Sequence, residues 1–162
     1  MSDLPQSVRT VVDAAASHGV SIDVIEYPDG TRTAVDAAEA VGCEVGQIVK
    51  SLIFSVDGDL VLALTSGANR VDPARLTLAA DGERCDRADV DAVRATTGFA
   101  IGGVPPFGHI EQVRAFFDPA LLTYEAVWAA AGTPRHVFSI DPHTLLCVTG
   151  ATVTAFTERA DP

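Results

Sequence analysis

Two apolar runs, residues 51–56 and 60–65, meet at Asp57-Gly58, and this pattern constrains the fold more than any other stretch. Asp-Gly between two strand-forming runs signals a tight hairpin, because both central residues of a type I′ turn need positive φ. Helical signals surround it. Residues 5–18 place Val8, Val11, Val12 and Ala15 at helical spacing, with Pro5 suited to the first turn and Gly19 to the stop. Thr33 with Asp36 three residues on forms a capping-box start for a helix through Val41, ended by Gly42. Asp72-Pro73 and Asp141-Pro142 read as N-cap and first helical residue, and a further helix spans residues 89–97. Short strands are expected at residues 21–27, 83–85, 113–117, 125–129, 136–140 and 151–156, with turns at Asp29-Gly30 and Gly132-Thr133-Pro134. Helices and hairpins mix without strict alternation. The expected fold is therefore α+β: one domain over residues 1–162, with a mixed, mainly antiparallel sheet flanked by helices.

The charge balance limits the partners. The formal net charge is −11, which argues against non-specific binding to nucleic acid or an anionic membrane. A polyanionic partner must meet a local basic patch, for which Arg32, Arg70, Arg75 and Arg135 are candidates. The first residues carry no basic stretch followed by an apolar one, and no apolar run could span a bilayer, so a cytoplasmic protein is expected. Cys43, Cys85 and Cys147 are far apart and odd in number, which suits reduced thiols buried as small hydrophobes. No cysteine pair or histidine pair shows metal-ligand spacing, so no metal and no cofactor are expected.

Lys50 stands out among the residues that could do chemistry. The chain holds ten arginines and one lysine, and an ammonium is not interchangeable with a guanidinium fork. Lys50 sits between Ile48-Val49 and Leu52-Ile53-Phe54. It reads either as a lysine snorkelling from a strand start or as a placed charge. The stretch Gly102-Gly103-Val104-Pro105-Pro106-Phe107-Gly108-His109 is too long and too punctuated for an ordinary hairpin turn. Its glycines let backbone N–H groups approach a ligand and its prolines shape the loop, so it could present donors to a carbonyl oxygen or a phosphate. A plain connecting loop is the other reading. His109 follows the loop closely enough to reach a pocket.

Gln47-Ile48-Val49-Lys50-Ser51-Leu52-Ile53-Phe54, Leu62-Ala63-Leu64, and Gly98-Phe99 with Gly102-Gly103-Val104-Pro105-Pro106 together resemble the YbaK family. This family includes the editing domain of bacterial prolyl-tRNA synthetases. The resemblance spans roughly residues 27–156. It implies a partly barrel-like α/β fold and hydrolysis of the ester joining a wrong amino acid to the tRNA 3′ end. Alanine or cysteine on proline tRNA is the usual substrate, with prolyl-tRNA synthetase as a further partner and no role for DNA. The family lysine falls on Lys50, and the family GxxxP loop falls on Gly102, Gly103, Val104, Pro105 and Pro106. These place Lys50, Gly102, Gly103 and Val104 in the catalytic role. Tyr27, Ser51, Pro106, Phe107, Gly108 and His109 are then expected to contact substrate. Two departures matter. Pro105 stands where a serine is common, which removes a hydroxyl and an N–H. Val137 stands near the place where some members carry an acid.

The implied chemistry is attack by water without a covalent intermediate. Its activation is assigned to the substrate's 2′-hydroxyl, to a cysteine substrate's thiol or to His109. The alternative reading is a pocket that holds an aminoacyl-adenosine or nucleotide without turnover, or a module that docks on a synthetase.

Overall fold

The structure is a computed structural model, and it describes residues 4–28, 30 and 33–158. Asp29 of the expected Asp29-Gly30 turn, Arg32, and residues 159–162 lie outside these. The hairpin is the centre of the architecture. Strand β2 (Ile48–Val56) pairs antiparallel with β3 (Asp59–Ser66), and the pairing runs from Val56↔Asp59 to Val49↔Ser66. Asp57 and Gly58 have φ of 52° and 88°, as a type I′ turn requires.

Strands β1 (Val24–Glu26), β4 (Cys85–Arg87), β5 (Arg114–Phe117), β6 (Val127–Ala130), β7 (His136–Ile140) and β8 (Thr152–Val153) complete one mixed sheet. Its order is β1-β7-β6-β2-β3-β5-β8, with β4 attached to β2 outside this path. The pairs β1–β7, β2–β3, β2–β4 and β6–β7 are antiparallel, whereas β2–β6, β3–β5 and β5–β8 are parallel. The hairpin thus supplies both central strands, and the rest of the chain is laid against its two outer edges. That explains why its residues are so apolar. Val61, Leu62, Ala63 and Leu64 are all buried, because both faces of β3 are covered.

Helices begin where short polar caps allow. The Thr33 side chain accepts from the Asp36 N–H to start α2 (Ala34–Val41). Asp72, Asp89 and Asp141 do the same for α3 (Pro73–Ala79), α4 (Val90–Thr97) and α5 (Pro142–Thr149). Helix α1 (Gln6–Ser17) buries Val8, Val11 and Ala15 completely. Its two valines contribute about 1.5–3 kcal/mol each by burial. One core cluster gathers Val11, Val49, Phe99, Val104, Phe107 and Phe138. A second, on the other face of the hairpin, gathers Val61, Ala63, Leu76, Phe116 and Phe156.

Several expected elements are displaced. The strand expected at 83–85 forms at Cys85–Arg87, because it is positioned by pairing with residues 54–56 and not by its own composition. The strand expected over 151–156 shrinks to Thr152–Val153, since β5 offers it only Phe116 and Phe117 as partners. The expectation of three buried cysteines needs correction. Cys43 and Cys85 are only half-buried and Cys147 is exposed, on the outer side of α5. Among the described residues no helix is long and apolar enough to cross a membrane.

Candidate active site

The outer edge of β2 is shared by two strands that do not meet. β6 pairs with it at Ile48 and Val49, and β4 pairs with it only from Phe54 to Val56. Residues 50–53 have no strand on this side. A cleft of about 590 Å³ opens at this gap, a size ordinary for a small-molecule site. Its floor is residues 48–54. One wall is β6 and β7, through Trp128, Ala129 and Val137, and another is the glycine-rich loop, through Ile101, Gly102 and Val104. The start of α2 closes it with Thr33 and Val35.

Lys50 is half-buried at this gap, and its ammonium donates to the Asn69 carbonyl. Asn69 is itself held from below. Its amide donates to Asp118 Oδ2 at 2.9 Å, and Asp118 also accepts from the N–H groups of Ser66 and Ala120 at 3.1 and 2.9 Å. Asp118 is only 2% exposed. Burial holds the Lys50 ammonium below the ordinary lysine pKa, the nearby Arg70 guanidinium adds to this, and Asp118 partly offsets both. The charge is therefore held with incomplete compensation beside an otherwise apolar cleft.

Asp118→Asn is expected to keep the shape and remove the offset. Lys50 then loses its proton at lower pH still, so any activity that needs the ammonium falls off earlier as pH rises. A pH–rate profile reads this as an alkaline limb moved to lower pH. Weakening the bonds from Ser66, Asn69 and Ala120 should cost about 1–3 kcal/mol, checked by denaturant unfolding.

Ser51 leaves β2 on the face opposite Lys50, and its Oγ is buried without a hydrogen-bond partner. Gly103 explains the loop's glycines. A Cβ there would lie 2.8 Å from Thr133 Cα and 3.0 Å from Gly132 O, so the loop rests against backbone with no room for a side chain. Gly102 has φ of +100°.

The other expected contact residues lie outside the cleft lining. Tyr27 bonds through its backbone N–H to Arg135 O, and Phe107 packs in the core against Phe138, ring centroids 5.6 Å apart. Pro106 is buried, and Gly108 sits against α1 near Ala14. His109 Nε2 donates to Pro105 O at 2.7 Å, and burial pushes its imidazole below the ordinary histidine pKa. It braces the loop from behind. Val137, near the place where some family members carry an acid, lines the cleft as an apolar residue. Among the described residues, Lys50 is the only ionisable side chain lining the cleft, and none form a cluster able to hold a metal.

Sequence reasoning missed Asp118 and Trp128. Asp118-Pro119 repeats the Asp-Pro capping pattern seen at Asp72 and Asp141, so its capping was readable, but its burial beneath Lys50 was not.

Residues 28–147 match the family model of the aminoacyl-tRNA editing domain. The chain belongs to this family. This editing domain is 47% identical in sequence to a solved structure reported as a candidate trans-editing enzyme for prolyl tRNA synthetase, with a TM-score of 0.91 over 97% of this chain and 100% of that one. It is 35% identical over 92 residues to a proline–tRNA ligase of Maridesulfovibrio salexigens, matching 57% of this chain and 16% of the ligase. It therefore spans only about a sixth of that ligase. It is also 26% identical over 123 residues to EbsC of Enterococcus faecalis, named as a candidate Cys-tRNA(Pro)/Cys-tRNA(Cys) deacylase, covering 75% of this chain and 74% of EbsC.

Proposed function

We propose that this editing domain hydrolyses, in trans, the ester bond of mischarged proline tRNA, with alanine or cysteine as the amino acid removed. One observation carries the reading: a cleft of apolar walls whose single ionisable group, among the described residues, is the half-buried ammonium of Lys50. Water adds to the ester carbonyl, the C–O bond to the terminal ribose breaks, and the amino acid leaves as its carboxylate. Lys50 offsets the negative charge of the substrate, on phosphate or on the developing oxyanion. The loop bounds the carbonyl at Gly102 and Val104, whose N–H groups can serve as donors to it. Gly103, expected to share this role, lies outside the cleft lining and spends its N–H on Ala100 O at 3.0 Å, so it shapes the loop.

Among the described residues, no carboxylate, histidine or cysteine lines the cleft to act as a base. His109 spends Nε2 on Pro105. The proton of the attacking water therefore passes to the substrate's own groups, the neighbouring 2′-hydroxyl or, for cysteine, the thiol. Small apolar walls at Val104, Ala129 and Val137 suit the methyl of alanine or the mercaptomethyl group of cysteine.

The net charge of −11 supports weak tRNA affinity by this chain alone, with prolyl-tRNA synthetase as the partner that supplies the rest of the contact. Purified protein should deacylate Ala- or Cys-charged proline tRNA faster than Ser-charged, and leave Pro-tRNA(Pro) and Ala-tRNA(Ala) intact. A panel of these five substrates under single-turnover conditions tests this. Tight binding with no turnover on any of them would replace the deacylase with a binding protein.

A further inference from the structure

The gap in the sheet leaves particular backbone groups without partners. In a two-residue hairpin the closing pair exchanges both hydrogen bonds, and bonded pairs then alternate along the ladder. Val56↔Asp59 closes this one, so Phe54, Leu52 and Lys50 turn their backbone groups to β3. Residues 55, 53, 51 and 49 turn theirs outward. The bond from Asp57 N–H to Arg84 O, continuing the β2–β4 ladder, agrees with this alternation. Val49 meets β6 and Ser55 meets β4. The Ser51 N–H and C=O and the Ile53 N–H meet no strand and face the cleft.

Unpaired backbone groups on a sheet edge are a template for hydrogen bonding. Here the template is three groups long and cannot take a peptide strand, since β6 and β4 block both ends. What fits is a flat group that presents a donor beside an acceptor. The Ser51 C=O accepts and the Ile53 N–H donates, side by side on one edge. Trp128 and Phe54, both half-buried, line the same cleft and offer aromatic surface to a planar ring. Nucleobases at single-stranded ends are read this way, by bonds to the Watson–Crick edge and by contact with aromatic or apolar side chains.

We propose that the unpaired edge of β2 at Ser51 and Ile53 reads the terminal adenine of the tRNA, the exocyclic amine donating to Ser51 C=O and N1 accepting from Ile53 N–H. Guanine and uracil carry the reverse order, donor where adenine has its acceptor. Cytosine shares adenine's order. The choice of adenine over cytosine rests on the editing reading, in which the esterified nucleotide is the one held nearest the cleft. Specificity for the 3′ end then comes from main chain, which no side-chain substitution in this strand removes.

The test titrates the isotope-labelled full chain with 5′-AMP, purine riboside monophosphate, CMP, GMP and UMP and follows the amide of Ile53 and the carbonyl carbon of Ser51. AMP should move both resonances saturably. Purine riboside, which lacks the amine, should bind about fivefold more weakly, the loss of one hydrogen bond. GMP and UMP should leave both resonances in place. The assignment is overturned if AMP does not bind at millimolar concentration, if it binds without moving these resonances, or if purine riboside matches it. CMP acting as strongly as AMP would overturn adenine in favour of the penultimate cytidine. Deacylation of Ala-tRNA(Pro) is measured on the same preparation. AMP selectivity without turnover sinks the editing reading and leaves this one standing; turnover without selectivity does the reverse.

Discussion

Replacing Lys50 by alanine should slow deacylation of the preferred proline tRNA substrate by about 10²–10³-fold, the effect of losing one group that stabilises charge in a transition state. The cost to folding should be small. Lys50 is half-buried and its ammonium makes one bond, to a carbonyl at the edge of the cleft that water can reach once the side chain is gone. The expected signature is therefore a near-unchanged thermal melt with a collapsed single-turnover rate.

Lys50→Arg should not restore the rate, because the planar fork cannot sit where the compact ammonium bonds Asn69 O. The pH dependence adds a second mark. Lys50 is charged below its depressed pKa and neutral above it. After subtraction of uncatalysed hydrolysis, the rate should fall as pH rises, with the limb below the ordinary lysine range. Lys50→Arg should abolish that limb. A Lys50→Ala protein that deacylates at the parent rate would remove Lys50 from the mechanism.

Gly103→Ala should be nearly as damaging by a different route. The added methyl meets Thr133 Cα and Gly132 O, which are backbone and cannot swing aside, so the loop must lift. Overpacking of this kind costs about 1–3 kcal/mol. For a chain of this size that lowers the melting temperature by roughly 2–4 °C per kcal/mol. The larger effect is on rate, because a displacement of about 1 Å in a positioning group can cost a hundredfold. Single-turnover kinetics at a temperature where the variant remains folded separate the two. Parent-like turnover in a destabilised variant would mean that the loop's position is not read by the reaction.

Much of the local structure was legible because it is written in short-range chemistry. Thr33 with Asp36, Asp72-Pro73, Asp89 and Asp141-Pro142 are caps whose donors and acceptors lie within four residues, and Asp57-Gly58 dictates its own turn. What could not be read was pairing between distant strands. Nothing near Ile48 announces that it will lie parallel to Trp128, or near Val61 that it will meet Arg114. The cleft exists because of such pairings. It is the place where β6 stops at Val49 and β4 begins at Phe54, and neither boundary is a property of β2.

For that reason Lys50 and Ser51 could be singled out from their neighbourhood, while Trp128 and the Asp118–Asn69 support could not. Tyr27 is expected at the substrate from family pattern, and Phe107 and His109 from their place in and after the loop. In the structure the Tyr27 N–H ties down a strand end, Phe107 packs in the core and His109 bonds the loop.

Helix α1 lies outside residues 28–147, the part that matches the family model. Yet it is what the glycine-rich loop leans on. A Cβ at Gly132 would lie 2.7 Å from Ser7 O, one at Gly108 would lie 3.2 Å from Ala14 Cβ, and Gly132 in turn backs Gly103. Anyone transplanting this module into another protein, or trimming it to the boundaries that the family model draws, would carry the reacting groups and leave their footing behind. The mechanical border of the domain is wider than that matched stretch, and a graft has to begin before residue 6 to include it.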